Sequence, residues 1–229
     1  MTLNKIVCGS AMLALLVMVL SCSGSDDTVA SSSAIPTEVT KAQKEEPPPS
    51  QLNERSGSEV SFHVQSGTVA RYKIGEQLTR FKSPLTAVGE TEDVEGSILV
   101  DDGKIANGSL VKVDLTTLKS DEDKRDGWIR RQGGIGQTVQ ILFKSAEDLP
   151  WPFPENGPID FDLTGDLTIS GTTKETIWKV GAEVSGEEIK GNAATKITWE
   201  QFSLSKPRLP FIISVDDEIV LEIDFIVAR

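Results

Sequence analysis

After Ser58 apolar and polar residues alternate with a period of two, and this alternation confines the chain to half-buried β-strands. In the first segment Val60, Phe62, Val64, Ala70, Tyr72 and Ile74 share one face, and Ser61, His63, Gln65, Arg71 and Lys73 the other. Val94, Gly96, Ile98 and Val100 continue the scheme up to a turn at Asp101-Asp102-Gly103. Val111, Val113 and Leu115 follow, then Val139, Ile141 and Phe143. The run Ile159, Phe161, Leu163, Leu167 and Ile169 contains Gly165, which predicts a bend or bulge there. Trp178, Val180, Ala182 and Val184 lead to a turn near Ser185-Gly186, and Ala193, Ile197 and Trp199 form a further strand. Ile219, Leu221, Ile223, Phe225 and Val227 make the last. Helical period occurs only in Ser120 to Arg131 (SDEDKRDGWIRR), a short helix with Ser120 or Asp121 as its cap. Roughly eight antiparallel strands with short turns suit an all-β, up-and-down closed barrel, which leaves no sheet edge exposed. A two-sheet sandwich has the same alternation and stands as the alternative.

What precedes the strands is built differently. Lys5 provides a positive start and Ala11 to Leu20 an apolar run too short to span a bilayer. The run ends on Val19-Leu20-Ser21-Cys22, the pattern at which lipoproteins are cleaved and acylated. Residues 1–21 are therefore expected to be a signal peptide and Cys22 a lipidated N-terminus, which places the protein outside the cytoplasm. Cys8 leaves with the signal peptide, so the strands hold neither thiol nor disulfide. Residues 22–57 are rich in Ser, Thr, Pro, Glu and Lys and cannot bury enough surface to offset their ordering entropy, so they read as a disordered tether. A flexible coil of about 35 residues reaches roughly 30–35 Å. Loss of Lys5 takes the formal charge from −12 to −13. So acidic a chain is repelled by nucleic-acid phosphates and anionic headgroups, which excludes nucleic-acid binding and leaves membrane attachment to the acyl chains.

Several strand and turn segments carry a resemblance. They are Ser66 to Tyr72 (SGTVARY), Val94 to Ile98 (VEGSI), Val113 to Ser120 (VDLTTLKS), Arg125-Asp126, Ile129-Arg130, and above all Gly165 to Thr176 (GDLTISGTTKET). In this order, over residues 59–229, the chain resembles the YceI-like proteins, lipocalin-like barrels known for binding polyisoprenoid lipids. It departs from their pattern at Gly133-Gly134-Ile135-Gly136-Gln137-Thr138, where an aromatic and a Tyr-Pro are usual. The resemblance implies a lumen for a long apolar chain such as a quinone or polyprenyl lipid, and it supplies no catalytic motif. The inward-facing positions expected to line that lumen are Tyr72, Ile98, Val113, Phe143, Phe161, Trp178, Val180, Ile223 and Phe225.

Reactive constellations are scarce. His63 is the only histidine and falls on the polar side of its strand, so a zinc site of the usual N/S composition and a Ser-His-Asp triad both lack their parts. Asp121 to Gly127 fails as a calcium loop, because Arg125, Asp126 and Gln132 stand where an oxygen ligand, a glycine and a glutamate are needed. No enzyme activity, metal or cofactor is expected. Arg125, Arg130 and Arg131, at one end of the barrel, are candidates to hold a phosphate or quinone oxygen, against ion pairing with Asp121, Glu122 and Asp126. Trp151-Pro152-Phe153-Pro154 reads as a hydrophobic lid or as a plug. Two functions follow: a lipid-anchored binding protein with an isoprenoid in its lumen, or a packed interaction domain that binds a protein partner.

Overall fold

The computed structural model describes residues 59–131 and 135–229. The expected signal peptide, Cys22 and the tether lie outside the described residues, as do Gly133 and Gly134. The elements are β1 (Val60–Val64), β2 (Val69–Leu78), β3 (Leu85–Thr91), β4 (Val94–Asp101), β5 (Lys104–Ile105), β6 (Leu110–Asp114), β7 (Lys119–Ser120), α1 (Asp123–Arg131), β8 (Thr138–Glu147), β9 (Asn156–Ile169), β10 (Thr172–Ser185), β11 (Glu188–Thr198) and β12 (Ile212–Ala228).

The pairing of these strands closes on itself. β1, β4, β6, β8, β9, β10, β11 and β12 are hydrogen-bonded in that order, and β12 returns to β1 through His63↔Ala228 and Val64↔Val227. Every pair is antiparallel. At one end β2, β3 and β7 extend β1, β4 and β6 past local breaks, while β5 forms a small hairpin with β4. The ring therefore has eight staves, as the alternation predicts, and closure excludes the sandwich.

Hydroxyls hold the breaks, where backbone groups would otherwise go unpaired. The Thr68 Oγ1 donates to Ile226 O at 3.2 Å and accepts from Ile226 N at 3.0 Å. At the neighbouring breaks Thr91 Oγ1 donates to Asp114 O at 3.1 Å and Thr117 Oγ1 to the Asp93 carboxylate at 2.6 Å. Elsewhere turn chemistry sets the register. Ser170 and Gly171 both have positive φ (51° and 78°) and join Ile169 to Thr172, the two-residue turn whose twist matches paired strands.

Three local expectations are corrected. The bulge lies on β8 and not in β9: the register slips between Phe143↔Gly165 and Ser145↔Thr164, leaving Lys144 extra. Gly165 instead permits close approach, since a Cβ there would lie 2.9 Å from Leu142 O. The helix begins at Asp123 because Ser120 is occupied in β7, paired with Gly89. Ser120 nevertheless acts one turn early: its N–H and hydroxyl both donate to Asp126, at 3.1 and 2.6 Å. Trp199 lies beyond the end of β11, buried, with its Nε1 donating to Asp216 O at 2.9 Å.

The inward phase of every stave is apolar, and the buried side chains fall into two clusters along the barrel. The larger centres on Ile141, Leu167, Trp178, Ile197 and Phe202 beneath α1. The smaller contains Phe62, Val100, Ile159, Val184, Ile189 and Val227.

Candidate ligand-binding site

Two cavities follow these clusters. One, of about 140 Å³, lies under α1 and is lined by Tyr72, Val113, Trp128, Ile141, Trp178 and Trp199 among others. The second, of about 90 Å³, is lined by Phe62, Ile98, Phe143, Phe161, Val180 and Phe225 among others. Ile223 lines both and so stands at the waist between them. Every residue expected to face the lumen thus lines one cavity or the other. The register explains it: period two on each stave delivers alternate side chains to the interior.

The Trp-Pro-Phe-Pro segment packs at the far end of the smaller cavity, where Phe153 is one of the lining residues. The ring of Phe153 lies 5.2 Å from that of Phe62, and the Arg229 guanidinium sits 5.5 Å over Phe62 and 5.9 Å over Phe153. Trp151 covers Gly103, where a Cβ would come within 2.9 Å of the indole. Lid and plug alike place these rings at this end of the barrel.

The α1 end is chemically different. Arg125 is only 5 % exposed, although a helix of such polar composition would ordinarily turn its arginines outward. Its Nη2 pairs with Glu76 of β2, and its Nη1 donates to Asp121 at 2.6 Å and to Ser120 Oγ at 3.0 Å. Burial works against the charged guanidinium, but the bonds to Asp121 and Glu76 outweigh it and hold its pKa above the ordinary arginine value. Reciprocally, Arg125 keeps the Asp121 carboxyl below its usual range. Two buried atoms of the group make no well-formed hydrogen bond within the protein, Arg125 Nε and the Tyr72 hydroxyl, the latter with the Ser120 hydroxyl nearby. Leaving one such donor unsatisfied costs about 1–3 kcal/mol. Burial pushes the Tyr72 phenol up to about 12, against the Arg125 charge and the Ser120 side chain, which pull it down. Its ring lies over Gly89, its register partner, where any Cβ would overlap it.

Of the three arginines proposed to meet a headgroup, only Arg125 reaches the cavity. Arg130 and Arg131 are exposed, and Arg130 Nη1 donates to Leu118 O at 3.0 Å. Residues of the α1 helix facing the lumen are Arg125, Trp128 and Ile129, at helical spacing, which leaves the next two on the outer side. Glu76 is the residue that sequence reasoning missed. Its signal was available, because Glu76 continues the inward phase of Ala70, Tyr72 and Ile74, where a carboxylate needs a partner. His63 is exposed, 3.1 Å from Ser61 Oγ, and among the described residues no group of three His, Cys, Asp or Glu side chains is placed to hold a metal.

A closed eight-stranded antiparallel barrel with an apolar interior and one capping helix defines a lipocalin-like protein. Comparison with known families makes it specific: the YceI-like domain model matches residues 54–227, and the chain belongs to that family. Among solved structures it is similar to one described as a polyisoprenoid binding domain from Saccharophagus degradans implicated in plant cell wall breakdown. The TM-score is 0.56 at 10 % identity, over 73 % of this chain and 98 % of that one. It is also similar to BcnA of Burkholderia cenocepacia, with TM-score 0.53 at 14 % identity, over 72 % and 99 % of the two chains. At such identities the likeness is one of fold. No curated protein matches the chain.

Proposed function

We propose that this protein is a non-enzymatic carrier that holds one isoprenoid lipid in its barrel, and that it is exported and tethered to a membrane by acyl chains on Cys22. The observation that carries the first part is the continuous apolar wall, which every stave supplies and which leaves space on both sides of Ile223. An eight-stranded barrel is just wide enough for one slim ligand. The likeness to a polyisoprenoid binding domain supports the same class of ligand. Mass spectrometry of lipid extracted from the purified chain should find a prenylated species in stoichiometric amount; a lipid-free protein that also fails to take up prenyl lipid rejects the carrier.

The anchor rests on the Leu20-Ser21-Cys22 junction and on the acidic chain after it. Cys22→Ala is expected to move the protein from the detergent phase to the aqueous phase in phase partitioning, and retention with detergent would refute acylation at this cysteine.

One observation favours the second reading, a packed interaction domain: the two voids are small and Ile223 separates them. Ile223→Ala distinguishes the readings. In a carrier it joins the cavities and preserves or strengthens lipid uptake, despite a loss of about 2–5 kcal/mol in stability. In a packed domain it only destabilises.

A further inference from the structure

Charge is spread unevenly over the barrel. Residues 59–229 hold 29 acidic and 19 basic side chains. Three segments at the α1 end reverse that balance. Thr79 to Pro84, Asp121 to Arg131 and Trp199 to Ile213 together hold eight basic side chains and five acidic ones. They form one lip. Thr79 N–H donates to Phe211 O at 3.0 Å, Arg80 pairs with Glu122 at 3.6 Å, and Lys124 lies 5.5 Å over the Phe211 ring. Three of the five acids are engaged within it, Asp121 by Arg125, Asp126 by Ser120 and Glu122 by Arg80. Beyond these pairs the lip shows solvent Lys82, Lys124, Arg130, Arg131 and Arg208, against Asp123 and Glu200.

Apolar side chains stand on the same lip. Phe81 is 48 % and Ile213 63 % exposed. Phe81 N–H donates to Leu78 O, and Leu78 is the register partner of Ile212, so the two side chains lie on adjoining strand ends. The Arg80 guanidinium lies 5.0 Å over the Phe81 ring. Elsewhere among the described residues the exposed large apolar side chains are Leu142 and Ile177, on the outer wall. There the lysines are matched by acids, Lys144 by Asp166 and Glu175, and Lys179 by Asp162. Only the lip combines exposed apolar groups with a basic excess.

We infer that this lip is a membrane-docking surface, which lays Phe81 and Ile213 among the acyl chains of an anionic bilayer while Arg80, Lys82, Lys124 and Arg208 meet its phosphates. Aromatic and aliphatic side chains edged by Lys and Arg are the composition of surfaces that lie in the bilayer interface. The acidity of the whole domain opposes approach to such a bilayer. Screening in physiological salt acts over about 8 Å, however, so at contact the sign of the nearest face decides. The inference concerns which end of the barrel meets the bilayer, and depends neither on what the barrel holds nor on acyl chains at Cys22. Docking of this kind puts the larger cavity, under α1, beside the lipid.

The test places the full chain on two kinds of vesicle, phosphatidylcholine alone and equal parts of phosphatidylcholine and phosphatidylglycerol. Amide hydrogen exchange is read by mass spectrometry. Any anchor acts alike on both, so the comparison isolates the lip. Residues 79–84 and 206–213 are expected to exchange several-fold more slowly on the anionic vesicles, while the Gly186-Glu187 turn at the opposite end keeps one rate. Lys82→Gln/Arg208→Gln should abolish the difference, since each basic side chain changes association with an anionic surface about fivefold. Phe81→Ser/Ile213→Ser should weaken the protection, and the wall variant Leu142→Ser/Ile177→Ser should leave it intact. Exchange in β9 and β10, taken from the same spectra, reports that each variant is folded. Equal protection on both vesicles, or as large a loss in the wall variant as in the lip variant, overturns the inference. So does absence of protection on either vesicle, which would leave the lip to a protein partner.

Discussion

The two halves of the lumen are built from the same staves and meet at Ile223, yet they solve different problems. Behind Phe153 the wall is aromatic and aliphatic, and rings pack at its end under Arg229. Under α1 the wall holds a buried ion-pair cluster, and a tyrosine and an arginine have donors to spare. The first half offers volume and shape. The second offers volume and direction, because an oriented donor distinguishes one end of a ligand from the other. A barrel that needed only to be stable would gain nothing from Glu76 and Arg125, since a buried ion pair is rarely better than apolar packing of equal volume. Their presence at one end alone is the asymmetry to test.

The largest effect should come from the apolar half. Phe143→Ala is expected to cost about 3–5 kcal/mol in denaturant unfolding, the usual loss for a buried phenylalanine. A cost well under that would mean the ring faces a ligand channel more than a core. On the other side Arg125→Met should cost roughly 3 kcal/mol, because it strands the Glu76 carboxylate, and the double variant Arg125→Met/Glu76→Leu should recover most of it. If the double variant is no better than the single one, the cluster is not the closed unit described above. Ala182→Trp, which fills the apolar half, should cost about 1–3 kcal/mol by overpacking and block lipid uptake; unchanged uptake would place the tail elsewhere.

A subtler measurement addresses Tyr72, the only tyrosine of the chain. Absorbance at 295 nm therefore reports this one phenol, which should stay un-ionised through pH 10 and titrate near 12. Titration at the ordinary value of about 10 would show a solvated hydroxyl and remove the directional half of the comparison. The smallest effect belongs to the outer surface, which serves as a control. Hydrogen bonds from Arg71 and Asn192 hold Asp224 below the usual carboxylate range. Its contribution is present above the unfolded value of about 3.9 and is lost as pH falls through the lower folded one. Asp224→Asn should thus be slightly less stable at pH 7, and its deficit should shrink on acidification. A deficit independent of pH would contradict the ion pair.

Period two identified the staves and their inward faces, since burial on one side leaves no other pattern available to a strand. It also placed Tyr72, Trp178 and Phe225 correctly, because phase alone fixes their side. The breaks at residues 65–68, 92–93 and 115–118 were not legible, as they depend on threonine hydroxyls meeting backbone from a neighbouring stave. The fate of the arginines was likewise hidden. Arg125, Arg130 and Arg131 look alike in sequence, and what separates them is the angle at which α1 crosses the barrel end, together with a glutamate about fifty residues earlier. Gly165 misled for a related reason: a glycine signals close approach, and the extra residue was in the strand that approaches.

The seam between β1 and β12 has a consequence for how the chain reaches its native state. Thr68 and Ile226, which bind each other across it, are 158 residues apart, whereas the other junctions of the ring are far more local, β1 reaching β4 at Val60↔Val100. Local hairpins can zip in turn from β8 to β12, but the last closure must gather in the whole domain and bear the slowest loop-entropy term. Until it forms, two bare edges face solvent. The species that precedes closure is therefore prone to aggregate through these edges even though almost all of its hydrogen bonding is in place.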